Sequence, residues 1–297
     1  MITDLDTNKA YFSMRLKESE KYADFAKKLE GILGNRMAWI KDSHCDFIPE
    51  NKKPVFHTLD IWCRDYMPIQ VSECRYIHFH YFPTYLLNTA KYRSTITNSI
   101  KAEQELGLDC ESLNLILDGG NLIKTDNSVI ITKKVFDDNK LSEGIVVSRL
   151  KKAFGVPVVF IDWDKENYKA DYLGHADGVV RYVGNNTVIM PYSGNDDYLQ
   201  LVHQQMEGDG QFRVVELPEV SSEKDDMEVN WGYVNYLRIG NFILRPTFGI
   251  ESDEIEMSKF FSPDNDLFAG CEIKTIDCRD LALDGGVLNC ISWTIKE

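Results

Sequence analysis

Asn121–Thr132 (NLIKTDNSVIIT), Val179–Pro191 (VVRYVGNNTVIMP) and Asn235–Pro246 (NYLRIGNFILRP) read as three copies of one motif. Each is a pair of β-rich runs around a short polar turn, centred on Asp126-Asn127, Gly184-Asn185 and Gly240-Asn241, which is the chemistry of a β-hairpin. The turns are spaced 58 and 56 residues apart, and a fainter copy, Pro68–Pro83 (PIQVSECRYIHFHYFP) with its turn near Glu73-Cys74, lies 52 residues before the first. A period in the fifties marks a recurring supersecondary unit.

The intervals repeat as well. Helical patterns are predicted near Ser99–Leu106, Leu141–Phe154, Asp196–Glu207 and Ser252–Phe261, with Gly107, Gly155 and Gly208 as stops. Short apolar strands follow at Leu113–Leu117, Val156–Ile161, Phe212–Leu217 and Cys271–Ile276. The unit is therefore hairpin, helix, strand. Four units and a remainder predict a ring, in which an amphipathic helix around Arg15–Leu33 and a last strand, Val287–Thr294, complete a fifth blade and leave few exposed sheet edges. No Gly/Ser/Pro-rich linker divides the chain, so residues 1–297 are expected to form a single catalytic α/β domain. The competing reading is two unrelated α/β domains with coincidental hairpins.

At 297 residues, 43% of them hydrophobic, the chain can bury a core without disulfide or metal staples. No basic segment leads into an apolar run near Met1, and no stretch approaches the roughly 18–20 apolar residues of a membrane span, so a soluble, cytoplasmic protein is expected, with no membrane partner. The seven cysteines (45, 63, 74, 110, 271, 278 and 290) are scattered with no C-x-x-C pair, which suggests that most are reduced core residues and that there is neither a disulfide frame nor a zinc site. With 47 acids against 33 bases the formal charge is -14, which disfavours nucleic acid and favours small cations.

Four islands carry the chemistry: Trp62-Cys63-Arg64-Asp65, Leu117-Asp118-Gly119-Gly120, Gly174-His175-Ala176-Asp177, and Leu283–Cys290 (LDGGVLNC). Each stands at a strand end of the repeat. In a ring of blades such ends converge on the axis, gathering a Cys, a His and three Asp. Two aspartates suit a planar guanidinium with five N–H donors, a thiolate can reach its carbon, and an imidazole can move the protons. Singly these residues are weak signals. Cysteine is often buried and inert, His175 could be a hydrogen-bonded structural histidine, Asp65 could pair with Arg64 or cap the turn before Pro68, and Asp118 could be a turn residue.

Taken in order, W-x-R-D, an acid before Gly-Gly, H-x-D, and Gly-Gly with a cysteine near the C-terminus, the set resembles the agmatine deiminase and bacterial-type peptidylarginine deiminase family. The similarity runs from about Trp62 to Cys290 and includes the segment Asn230–Pro246, which holds an N-x-x-Y-x-N pattern like that family's. The resemblance implies the pentein fold of the guanidine-modifying superfamily, a five-bladed α/β propeller, and no cofactor or metal. It implies that Cys290 is a nucleophile forming a covalent thiouronium, His175 the general acid/base, and Asp118 its orienting carboxylate. Asp65 and Asp177 correspond to the guanidinium clamp, and Trp62 to the substrate channel. The expected partner is a small cationic guanidino substrate, agmatine-like, released as ammonia and a ureido product within polyamine (putrescine) metabolism; homo-oligomerisation is compatible with the sequence and not specified by it.

Three departures stand out: Asp118 where the family carries glutamate, Asn289 where histidine often precedes the nucleophile, and no Gln-rich tail after Cys290. The shorter Asp118 must reach His175 either by closer backbone approach or through water. Substrates bearing a carboxylate, such as arginine, peptidylarginine or methylarginine, would need a cation in the cleft, with Arg245, Arg238, Arg93 and Arg181 as candidates. An amidinotransferase with the same Cys/His core is a further variant. A non-catalytic pentein used as a binding module is expected to lack the Cys/His/Asp set. Of the other histidines (44, 57, 78, 80 and 203), only His78-x-His80 has ligand-like spacing, and no carboxylate partner is evident for it in sequence.

Overall fold

The computed structural model describes residues 1–40, 59–88, 90–164, 173–209, 211–220, 223–224 and 227–297. Cys45, His44 and His57 lie outside the described residues.

The hairpin, helix, strand unit recurs in five three-stranded sheets. β1 (Lys9–Ser13) pairs in parallel with β2 (Met37–Ile40). β3 (Ile69–Ser72) and β4 (Arg75–His80) form a hairpin, and β5 (Cys110–Ile116) adds in parallel. β6 (Leu122–Lys124), β7 (Val129–Thr132) and β8 (Val158–Ile161) repeat the pattern, as do β9 (Arg181–Gly184), β10 (Thr187–Met190) and β11 (Arg213–Glu216). After a two-rung ladder of β12 (Glu223–Lys224) and β13 (Met227–Glu228), the unit returns in β14 (Leu237–Ile239), β15 (Phe242–Thr247) and β16 (Glu272–Asp277). β17 (Ser292–Ile295) then pairs antiparallel with β1, so the two ends of the chain build the fifth sheet together. The pseudo-fivefold α/β fold read from the hairpins is the fold observed.

Each parallel strand is reached through a helix, because a parallel pair cannot be joined by a tight turn. The helices Ala23–Leu33, Ser99–Glu105, Glu143–Phe154, Asp197–Glu207 and Glu251–Phe260 fill this role. Their apolar residues recur at helical spacing: Val146, Leu150 and Phe154 in one helix, and Leu199, Val202 and Met206 in another, are all buried. Each such side chain contributes about 1.5–3 kcal/mol by leaving water. Asp196 caps the latter helix by accepting from Leu199 N at 2.9 Å.

Three expectations are corrected. The amphipathic segment 15–33 is two helices, Arg15–Glu18 and Ala23–Leu33, since Ser19 turns extended between them. The third hairpin turns at Asn185-Asn186, one residue later than read, with both asparagines at positive φ (49° and 54°), the conformation of a two-residue hairpin loop. The last strand begins at Ser292 instead of Val287; the preceding residues form a turn in which Ile291 N donates to Val287 O and Ser292 N to Asn289 O. Among the described residues no helix is long and apolar enough to cross a membrane.

Candidate active site

The first strand of each sheet is preceded by a helical or tight turn. For β3, β6, β9 and β14 these are Cys63–Tyr66, Gly119–Asn121, Ala176–Gly178 and Asn230–Tyr233; for β17 it is the turn 288–291. Hydrogen bonds in or beside these turns link each to the next. Gly120 N donates to Asp65 Oδ1 at 3.1 Å, and His175 Nε2 lies 3.0 Å from Asp118 Oδ2. Asn235 Nδ2 donates to the Asp177 carbonyl at 3.1 Å, Asn289 N to the Asn235 carbonyl at 3.0 Å, and Arg64 N to the Cys290 carbonyl at 3.1 Å. The last bond returns to the first turn. Residues from Trp62 to Cys290 in sequence thereby surround one axis.

Cys290 is 9% exposed. Its Sγ is 3.3 Å from Asn235 Oδ1 and 3.8 Å from Asp177 Oδ2. Asn235 Oδ1 also accepts from the backbone N–H groups of Asn289 and Cys290, at 3.1 and 3.2 Å, which ties the cysteine turn to the start of β14 instead of to a ladder. Burial pushes the thiol well above its ordinary range, and the carboxylates of Asp177 and Asp65 push it further.

His175 lies between two acids, with Nε2 3.0 Å from Asp118 and Nδ1 3.6 Å from Asp65. Burial alone would lower its pKa, but Asp65, Asp118 and Asp177 outweigh it and raise the imidazole to about 9. Asp118 is buried too, yet its carboxyl is held below the ordinary range because Lys134 Nζ at 3.0 Å and the imidazole both favour the anion. For Asp65 burial dominates, and with Asp118 and Asp177 it raises the carboxyl against the opposing pull of His175. The acids thus divide into one firmly ionised and one reluctant to ionise. Gly120 allows this packing: a Cβ there would stand 2.7 Å from Asp65 Oδ1 and 2.9 Å from His175 Nδ1.

Asp177 is fixed from behind. Asn289 Nδ2 donates to its Oδ2 at 2.6 Å, while Asn289 Oδ1 accepts from Arg181 Nη1 at 2.6 Å, which determines which way the amide faces. Trp62 lies against Gly286, where a Cβ would fall 2.3 Å from the ring, and so forms one wall. These groups open into a cleft of about 1210 Å³ that contains Trp62, Asp65, His175, Asp177 and Cys290, with Asp60, Asp284 and Glu18 among its other acids. Tyr85 meets the His175 ring edge-on at 6.0 Å.

All six residues singled out from the sequence (Trp62, Asp65, Asp118, His175, Asp177 and Cys290) belong to this cluster. The shorter Asp118 makes a direct bond to His175, so the backbone approaches closely. Asn235, Asn289 and Lys134 were not singled out as site residues. Asn235 opens the β14/β15 hairpin and carried a legible signal there, whereas Lys134, just after β7, carried none. None of the four candidate arginines is among the lining residues: Arg245 is paired with Glu254 at 2.8 Å, Arg238 donates to the Gly240 carbonyl, Arg181 holds Asn289, and Arg93 is exposed between Tyr92 and Thr95 at the cleft edge. Among the described residues the cation that does line it is Arg15, 3.4 Å from Glu18. Cys74 is exposed in its hairpin turn and Cys110 half-buried, so they are not core residues. His78 does have a carboxylate neighbour, Glu103 at 2.7 Å, although none was evident in sequence. Among the described residues no group of three His, Cys, Asp or Glu is placed to hold a metal ion.

Similar structures agree with the fold. C. jejuni agmatine deiminase superposes with a TM-score of 0.73 at 18% identity, covering 100% of this chain and 95% of that one. A cysteine-to-serine variant of the same protein, solved with substrate bound, gives 0.73 at 17%, covering 100% and 96%. Agmatine deiminase of Enterococcus faecalis gives 0.70 at 14%, covering 100% and 95%, and DDAH from Pseudomonas aeruginosa, a more distant pentein, gives 0.56 at 13%, covering 97% and 99%. Among curated proteins no sequence gives a significant match. Residues 19–295 match the family model of the Porphyromonas-type peptidyl-arginine deiminases, and the chain belongs to that family.

Proposed function

We propose that this chain deiminates a small, agmatine-like guanidinium compound through a covalent intermediate on Cys290. Membership of a family of hydrolases acting on guanidino carbon–nitrogen bonds supplies the reaction class. The observation that carries the substrate reading is the charge of the cleft. Asp65 and Asp177 are buried in it beside Cys290, and none of the four arginines expected to anchor a carboxylate is among its lining residues.

The chemistry follows from the placement. A planar cation between Asp65 and Asp177 receives bidentate acceptors and offsets the negative field that, together with burial, keeps the Cys290 thiol protonated. The thiol proton leaves to water, the sulfur attacks the guanidinium carbon, and His175, protonated at neutral pH, gives its proton to the nitrogen as the C–N bond breaks and ammonia departs. A water then loses a proton to His175 and attacks the thiouronium carbon. The C–S bond breaks, freeing a ureido product and the cysteine. Asp118, itself held by Lys134, keeps the imidazole oriented and charged.

Arg15 at the cleft wall favours a second reading, in which a substrate carboxylate, as in a C-terminal peptidylarginine, meets that guanidinium. A panel of agmatine, arginine, methylarginine and peptides ending in arginine, assayed for ammonia and ureido product, separates the two. Preference for agmatine, unchanged in Arg15→Ala, supports the first reading. Preference for carboxylate-bearing compounds, lost in Arg15→Ala, supports the second, and turnover of none would count against both.

A further inference from the structure

Behind Asn289, on the side away from Asp177, a second and much smaller cavity of about 20 Å³ is lined by Asp4, Arg64, Lys124, Arg181 and Asn289. Three cations face one carboxylate there, inside a chain whose formal charge is -14. Only Arg181 has an ionic partner among these groups, with Nη2 2.7 Å from Asp4 Oδ2. Arg64 donates to neutral oxygens, the Asn289 carbonyl at 3.3 Å and Thr294 Oγ1 at 3.2 Å, and Lys124 Nζ donates to the Gln70 carbonyl at 3.1 Å. Asp6, which also acts on Lys124, is engaged by the N and Oγ1 of Thr3. Arg181 is 2% exposed, and its Nε is buried without a hydrogen-bond partner among the described residues.

Arg181 is buried and Arg64 and Lys124 are half-buried; cations withdrawn from water in excess of their counter-charges, and a buried donor with no acceptor, are both destabilising. A negative ion would offset both. The space is small, about 20 Å³, which suits a single compact ion. We propose that this cavity binds one small inorganic anion of the halide class, chloride in particular, held by Arg64, Lys124 and Arg181. Burial, together with Arg64 and Arg181, lowers the Lys124 ammonium to about 8, a mark of the same unbalanced positive charge. Because Arg181 also grips Asn289, which grips Asp177, the anion would brace the cleft wall from behind without touching substrate.

The test reads stability and leaves activity aside, so it succeeds or fails independently of the deiminase reading. Melting temperature is measured over a chloride titration at constant ionic strength, with gluconate, too large for the cavity, making up the balance. A saturable rise with chloride and bromide, absent with gluconate, is expected. In Lys124→Met the half-saturating chloride concentration should rise by about tenfold or more, the loss of one charge-assisted contact. Crystals soaked in bromide should show an anomalous peak between Arg64, Lys124 and Arg181. Coincident melting curves in chloride and gluconate, an unshifted midpoint in Lys124→Met, or bromide bound only elsewhere would each overturn the proposal. If Lys124→Met does not fold, the wild-type titration and the bromide peak decide the matter between them.

Discussion

The sulfur of Cys290 lies 3.8 Å from the Oδ2 of Asp177, so the residue proposed as nucleophile stands beside an anion, not a cation. With burial and two carboxylates raising its pKa, the resting residue is a thiol. Alkylation of Cys290 by iodoacetamide is expected to be slow at pH 7 and to accelerate only above pH 9. Asp177→Asn should bring the acceleration to lower pH. A thiol already fast at pH 7, with no change in that variant, would show that the charge balance around the sulfur has been misread.

Lys134 is 5% exposed and contacts both Asp118, at 3.0 Å, and Asp138, at 2.5 Å. Removing one partner of a buried charged pair typically costs about 3–5 kcal/mol. Lys134→Met is therefore expected to lower stability by that order in denaturant unfolding. It should also shift the acid limb of the pH–rate profile upward, since Asp118 loses its largest stabilising charge. A stability loss with an unmoved profile would make Lys134 a structural residue only.

Gly120→Ala places a methyl group against three site atoms at once: Asp65 Oδ1 at 2.7 Å, His175 Nδ1 at 2.9 Å and Asp177 Oδ1 at 3.2 Å. Turnover is expected to fall by about a hundredfold or more, because displacements of about 1 Å at such groups carry losses of that order. Gly144, which has nothing within 4 Å of its Cβ position, is the control and should tolerate alanine. Equal activity of the two variants would contradict the packing.

Stability should fall as pH rises from 6.5 toward 9.5. The folded pKa of His175, about 9, lies above its ordinary 6.5, so the stability it contributes is complete below pH 6.5 and is lost as pH passes through 9. Asp65 acts in the same sense but mostly at lower pH, because its carboxyl, raised to about 7, loses stability between pH 3.8 and 7. Asp118 acts oppositely, and its contribution disappears only as pH falls below 3.8. The alkaline loss is at most about 3 kcal/mol. Denaturation midpoints at the two pH values, compared with those of His175→Asn, measure it; a wild-type midpoint independent of pH would refute the assignment.

The hairpins made the fold legible because two-residue turns and alternating strands leave local marks: Asp126-Asn127 and Gly240-Asn241 announce their hairpins regardless of what surrounds them. The islands were legible because Gly119-Gly120 and Gly285-Gly286 flank residues whose chemistry is unusual in combination. Lys134 and Arg181 were different. Their importance lies in pairing with Asp118 and Asn289, residues 16 and 108 positions away, and no local pattern encodes a partner met only when the ring forms. The same reason explains Arg245, a candidate cleft cation by sequence that is paired with Glu254.

The most direct test compares ammonia release by wild type and Cys290→Ala on the guanidino compound that wild type hydrolyses best, with substrate affinity measured alongside. The variant should bind with nearly unchanged affinity and release no ammonia, while His175→Ala retains a rate about two to four decades below wild type. Turnover by Cys290→Ala at the wild-type rate would contradict a reaction through that sulfur.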